Sequence, residues 1–275
     1  MPTSPHLLLP DWWAAVARRA CQPPASERAA LLIGDQPVGS IALPLLHELA
    51  RAGLPLAVSA DRTRVALLGD PDAAFSAVAD WLRRQGHAGR WRNELLSVLA
   101  EPGGPVLSVV ERGVARNLGI HTVAVQLHAR AGRHEAEEGS WWLQQRALDK
   151  ATDPGKWDTL TGGMVAAGET VAQALARESW EEAGVHLAGL ALPPIAAGSF
   201  TVRRPVHDSG SHGWQVETVF AYACTVAADQ VPSNQDGEVL RFEAFSAERI
   251  DAMALEDRLT LEAAVAVALC RRFRA

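Results

Sequence analysis

The stretch Gly163–Val185, GMVAAGETVAQALARESWEEAGV, restricts the fold of this chain more than any other. Thr170 followed by Gln173 is a capping box, which satisfies orphan backbone donors at a helix start, and Gly184 stands where a left-handed residue would end the helix. The helix enters from a glycine-containing loop and leaves into a hydrophobic segment, so one of its faces must be buried. Glu178, Glu181 and Glu182 nevertheless lie at i, i+3 and i+4, stacked along one side. Like charges so spaced each cost about 0.2–0.5 kcal/mol. Arg177, four residues before Glu181, offsets part of that repulsion, whereas Glu178 and Glu182 have no basic residue three or four before them. Either water solvates these carboxylates or a cation sits on them.

The rest of the chain predicts two units. Helices are expected over 11–20, 43–53 and 70–87, the last capped by Asp70 or Asp72 and stopped at Gly86. Strands are expected at 29–34, 36–43, 64–70 and 94–101, and VLSVVERGVARNLGI (106–120) reads as helical. This first part is an α+β unit with no evident catalytic cluster, expected to serve packing or to cover a substrate. The second part opens with the alternating strand HTVAVQLHARA (121–131), then WWLQQRAL, a loop turning at Pro154-Gly155, the capped helix, strands at 198–204, 214–226 and 238–246, and a last helix from Thr260. Strands interrupted by helices suggest a mixed α+β architecture.

With 275 residues, 48% hydrophobic and 21% charged, the chain has material for two cores. A net charge of −6 without a basic block argues against extended nucleic-acid binding and against a polybasic membrane anchor. Cys21, Cys224 and Cys270 match no metal or redox spacing, which suits a reducing compartment. The N-terminus lacks a signal-peptide pattern, and no apolar run approaches the roughly 20 residues of a membrane span. A cytoplasmic, soluble protein is expected, with no membrane or nucleic-acid partner; the residues leave its oligomeric state open.

Several carboxylates on one helix face, with Glu169 just before it, offer hard oxygen ligands suited to Mg²⁺ or Mn²⁺. Such cations neutralise a diphosphate and orient an attacking water. The segment resembles the Nudix box, G-x5-E-x7-R-E-U-x-E-E-x-G-U with U a bulky aliphatic residue. Gly163, Glu169, Arg177, Glu178, Glu181, Glu182, Gly184 and Val185 fall in register, and Ser179 is the one departure. The fixed positions would coincide by chance in roughly one chain in a million of this length. The resemblance implies a Nudix α/β/α sandwich with a mixed sheet over 118–275, preceded by a smaller α+β domain over 1–117. It implies hydrolysis of a diphosphate linked to another moiety. The metal ligands would be Glu178, Glu181, Glu182 and Glu169, and the catalytic group Glu181, Glu182 and Arg177. Which glutamate acts as base varies within the family, and Glu169 and Arg177 read rather as braces of loop and helix.

The lead-in LQQRALDKATDPGKWDTLTGGMVAAGET, with ERGVARNLGIHT and DGEVLRFEAF, is similar to plant and yeast Nudix proteins related to thiamine diphosphate. That likeness implies cleavage of thiamine diphosphate or its oxidised analogues to the monophosphate and phosphate. Arg146, Lys150, Gly162, Gly163 and Glu238 would then lie at the substrate, and Trp157, with Trp141 and Trp142, would offer a ring to stack on a heteroaromatic group. Isopentenyl diphosphate isomerases share the arginine-bearing strand and the Pro-Gly-x-Trp turn, but LTGGM lacks their Cys-Gly-His stretch. The alternatives are an ADP-ribose or NADH pyrophosphatase and a non-catalytic sensor of a nucleotide or sugar diphosphate.

Overall fold

A computed structural model describes residues 10–132, 140–150, 152–190, 192–207 and 213–271. In the first part, β1 (Arg28–Ile33), β2 (Gln36–Ala42), β3 (Leu56–Val58) and β4 (Arg64–Leu67) form a sheet in the order β2-β1-β4-β3. β1 and β4 run parallel and the other neighbours antiparallel. Helices α2 (Leu43–Leu49) and α3 (Pro71–Arg84) share a core with it, through Leu45, Leu46 and Leu49 from one and Phe75, Val78 and Leu82 from the other. Asp70 caps α3 by accepting from the Ala73 N–H at 2.9 Å. Asp72 is used differently: it accepts from the Ser108 hydroxyl at 2.5 Å and the Val109 N–H at 3.1 Å.

That contact goes with a correction. Residues 106–120 are not one helix: Val106–Glu111 is strand β6, paired antiparallel with β5 (Leu95–Leu99), and only Arg112–Ala115 forms a helical turn, α4. The apolar positions 106, 107, 109, 110, 114, 115 and 118 satisfy a helical spacing, but β-branched valines favour the strand once β5 offers a partner. Glu111 makes the corner, its carboxylate accepting from the Gly113 N–H at 3.4 Å.

The second sheet is mixed. Its main order is β11 (Ile195–Val206), β12 (Gly213–Val226), β7 (His121–Ala131), β8 (Trp141–Arg146) and β13 (Val239–Phe245). β12 and β7 are parallel over Val216↔His121 to Val226↔Ala131, and the other pairs are antiparallel. Two short strands occupy what the sequence reads as loop: β9 (Trp157–Asp158) on β8 and β10 (Thr161–Met164) on β7. The pleat of β7 sends Val125, Leu127 and Ala129 toward α5 (Val171–Ala183), with Ala174, Leu175 and Ala183 opposite. A separate core, holding Leu143, Val202 and Val219, packs on α1 (Trp13–Ala20), α6 (Ala247–Leu255) and α7 (Leu261–Cys270). Helices thus cover both faces, giving the expected sandwich. Helix α6, absent from the sequence reading, begins at Ser246, whose hydroxyl accepts from the Arg249 N–H at 3.3 Å. Among the described residues no helix is long and apolar enough to cross a membrane.

Trp157 also departs from expectation. Pairing with Gln145 on β8 turns its ring into the α6–α7 core, where it is 1% exposed and meets Phe245 edge-on at 4.8 Å. Trp141 stacks on His128 at 4.2 Å, and Trp142 packs in the α5-side core. None of these rings lines the cleft described next.

Candidate active site

β10, a turn and α5 place the acidic residues. The turn is pinned at both ends: the Val165 N–H donates to the Val123 carbonyl at 2.9 Å, and the Ala167 N–H to the Leu95 carbonyl of β5 at 2.8 Å. Gly162 and Gly163 are dictated by close approach. A Cβ on Gly162 would run into the Gln126 side-chain amide, and one on Gly163 into the Glu178 carboxyl. The capping box between Thr170 and Gln173 is formed, and Gly184 ends α5 in the left-handed region with φ 65°. Ser179, the departure from the box pattern, is fully buried and donates to the Leu175 carbonyl at 2.6 Å, so its hydroxyl is satisfied within the helix.

Arg177 gathers the carboxylates. Its Nε and Nη2 donate to Glu169 at 2.7 and 2.9 Å, and its Nη1 to Glu178 at 2.8 Å and Glu181 at 3.1 Å. Nη2 also reaches the Met164 carbonyl at 3.1 Å. Hydrogen bonding from Arg177 holds the Glu169 carboxyl below its ordinary range, and the same contacts raise the Arg177 pKa further. Glu178 is raised by burial, against the pull of Arg177. Glu182 has no cationic partner among the described residues. One of its oxygens accepts from the Gly162 N–H and from Gln144 Nε2, each at 2.8 Å. Burial, and then the Glu178 charge, push it up to about 8. Glu178 and Glu182 face a common cleft, whereas the 44%-exposed Glu181 side chain stays at the rim with Arg177.

The cleft encloses about 190 Å³. Arg146, Lys150, Gly162, Gly163 and Glu238 line it together with Glu178 and Glu182, while Glu169, Arg177, Glu181 and Trp157 do not. Arg146 donates to the Thr152 carbonyl at 3.1 Å and lies 3.5 Å from Asp158. Glu238 accepts from Lys150 and, at 3.1 Å, from Arg92. Burial alone would raise its carboxyl, but these two cations outweigh that and hold it at about 2.

Further lining groups escaped the sequence reading. Asp158 and Glu217 add buried carboxyls and Glu262 a partly buried one. Burial and the neighbouring Glu262 raise Glu217, whereas at Glu262 the charge of Arg204 overcomes the effect of burial. Arg90, Arg92, Arg112 and Arg116 come from the first part of the chain. The available signal was arginine density in GRWRNE and ERGVAR, two segments that only the fold brings together. Among the described residues no three His, Cys, Asp or Glu side chains form a ready-made cation cage. The donor set still fits Mg²⁺ or Mn²⁺, because Mg²⁺ commonly takes one or two carboxylates and completes its octahedron with water and substrate phosphates.

A NUDIX domain family model matches residues 127–267, more than half of the chain. The chain belongs to the Nudix family. It is 31% identical over 179 residues to Nudix hydrolase 24, chloroplastic, of Arabidopsis thaliana, covering 64% of this chain and 47% of that one. It is 32% identical over 180 residues to Nudix hydrolase 20, chloroplastic, of the same plant, covering 64% and 46%. The chain thus spans about half the length of these curated relatives. Among solved structures it is similar to DR0079 of Deinococcus radiodurans, with 21% identity and a TM-score of 0.49 over 66% of this chain and all of that one.

Proposed function

We propose that this Nudix protein hydrolyses a diphosphate linked to another moiety, using the cleft beneath α5. The observation that carries the reading is the meeting of two buried box carboxylates, Glu178 and Glu182, with Arg146 and Lys150 in one cleft. Glu178 and Glu182 would hold Mg²⁺ or Mn²⁺, with Glu181 as a further ligand; the bound cation would neutralise the phosphates and lower the pKa of a coordinated water. Arg146 and Lys150 supply positive charge for the non-bridging oxygens. Arg177 and Glu169 hold the turn and the helix in register. Either Glu181 or Glu182 takes the proton of the attacking water. The finer reading is thiamine diphosphate or an oxidised analogue cleaved to monophosphate and phosphate, supported by the sequence likeness around Arg146, Lys150 and the Pro154-Gly155 turn. The domain division at 117/118 belongs to the same proposal.

The test is a Mg²⁺-dependent hydrolysis screen on the purified chain. The panel holds thiamine diphosphate and its oxidised analogues, ADP-ribose, NADH, nucleoside triphosphates and isopentenyl diphosphate, with products resolved chromatographically. Preferential release of thiamine-type monophosphates supports the finer reading. Turnover of ADP-ribose or NADH instead keeps the chemistry and removes that substrate. Binding without turnover of any compound overturns the hydrolase and leaves the diphosphate sensor.

A further inference from the structure

The cleft has two unlike walls. The second part of the chain supplies every carboxyl of the lining, Glu178, Glu182 and Glu217 among them, together with the cations Arg146 and Lys150, whereas the first part supplies only arginines among its charged lining groups. We infer that the N-terminal domain is the anion-binding half of this site, with Arg90 and Arg112, assisted by Arg92, contacting the substrate's phosphate oxygens. The inference rests on the diphosphate reading and assigns phosphate recognition to residues far outside the Nudix box.

The arginines are carried on a braced corner. The Gly89 N–H donates to the Gly113 carbonyl at 2.8 Å, and the Arg92 N–H to the buried Glu111 carboxylate at 3.1 Å. The Arg112 N–H donates to the Glu94 carbonyl at 2.8 Å, and Asn117 Nδ2 to the His87 carbonyl at 3.1 Å. Gly113 permits the approach, since a Cβ there would lie 3.1 Å from the Arg90 carbonyl. The corner is also fixed to the sheet behind the site. The Leu95 carbonyl accepts from Ala167 in the turn before α5, and the Arg116 carbonyl accepts from the Trp214 N–H at 2.8 Å. These contacts anchor the backbone from which the arginines project, and their planar guanidinium forks suit phosphate oxygens.

The partners of these arginines differ. Arg112 is paired with Glu94 at 2.7 Å and Arg92 with Glu238, whereas Arg90 is exposed and has no ion-pair partner among the described residues. Its charge lies at the cleft without a carboxylate to neutralise it. A diphosphate lying across the cleft would meet the carboxyls of the second part through cations, and Arg146, Lys150 and the arginines of the first part directly.

The test is calorimetric titration of methylenediphosphonate, an uncleavable diphosphate, into the full chain in excess Mg²⁺. Arg90→Ala and Arg112→Gln are each expected to weaken binding by about tenfold, as expected for loss of a charge-assisted phosphate contact. Arg90→Lys should recover part of the loss, and Arg51→Ala, an exposed charge elsewhere in the same domain, should bind as wild type. Arg90→Ala removes no ion pair, so its melting temperature should hold even if Arg112→Gln is less stable. Wild-type affinity in Arg90→Ala and Arg112→Gln, or no binding by the wild-type chain, overturns the inference. Turnover separates the two readings. Arginine-dependent binding in a chain that cleaves no diphosphate leaves the inference standing and removes the hydrolase; turnover with arginine-independent binding does the reverse.

Discussion

Glu182→Gln tests the site through the fold's own energetics. Glu182 is 4% exposed, and its carboxyl titrates at about 8 against an ordinary 4.5. Between those values the folded chain keeps a proton that the unfolded chain has released. Folding then takes up a proton, so stability falls as pH rises from about 4.5 through about 8, and the contribution is intact only below the unfolded value. At 1.36 kcal/mol per pH unit the ceiling is about 5 kcal/mol, and relaxation with water entry brings the expected loss to about 2–4 kcal/mol. Glutamine keeps an oxygen for the Gly162 N–H and Gln144 Nε2 and cannot ionise. In chelator-treated protein, urea unfolding at pH 5 and pH 8.5 should show the wild type losing about 2–4 kcal/mol more than Glu182→Gln across that interval. Carboxyls remote from Glu182 tilt both profiles alike, so the difference reports Glu182 together with its coupling to Glu178 and Asp158. The same variant should lose Mg²⁺-dependent turnover by about 10³-fold or more while remaining folded. Parallel pH profiles would refute the burial argument, and near-normal turnover would remove Glu182 from the chemistry.

Gly163→Ala should fold but displace the Glu178 carboxyl, weakening Mn²⁺ binding by about tenfold or more in a calorimetric titration; unchanged affinity would mean Glu178 does not hold the ion. Arg177→Lys offers one ammonium where the guanidinium meets Glu169 twice, Glu178, Glu181 and the Met164 carbonyl. A loss of about 1–3 kcal/mol in urea unfolding is expected, and less than about 0.5 kcal/mol would show that the hub is solvent-screened. Trp157→Phe should cost about 1–3 kcal/mol of stability through lost volume and leave KM unchanged. A several-fold rise in KM in that variant would return the ring to the ligand.

What the sequence disclosed follows the range of the interactions involved. α5 was legible end to end because Thr170, Gln173 and Gly184 act within a turn of their own positions. The pairing of Arg177 with Glu181, four residues on, was legible too, since a helix converts that spacing into proximity. Residues 106–111 were misread because a valine-rich run satisfies both periods, and the deciding partner, β5, is supplied by the fold. Trp157 was misplaced for a similar reason: composition marks a large ring, but only its pairing with Gln145 decides which way the ring turns. The arginine wall was least accessible. Arg92 meets Glu238 from 146 positions away, and no local pattern announces such a meeting.

The clustered negative charge on α5 thereby has a physical account. Arg177 accounts for three of the four box carboxylates directly: Glu169, Glu178 and Glu181 each accept from its guanidinium. Glu182 is left with two neutral donors, deep enough that its ionised form is strongly disfavoured. A buried carboxyl of this kind weakens a fold, and an apolar residue of similar volume would relieve the strain on folding. Its position therefore makes physical sense when a cation joins it during use, displacing the proton and supplying the partner that the chain withholds. The arginines on the facing wall complete the same logic with opposite sign. With carboxyls that would take a cation and arginines that would take an anion lining one cleft, the proposed diphosphate is a ligand whose charge suits both.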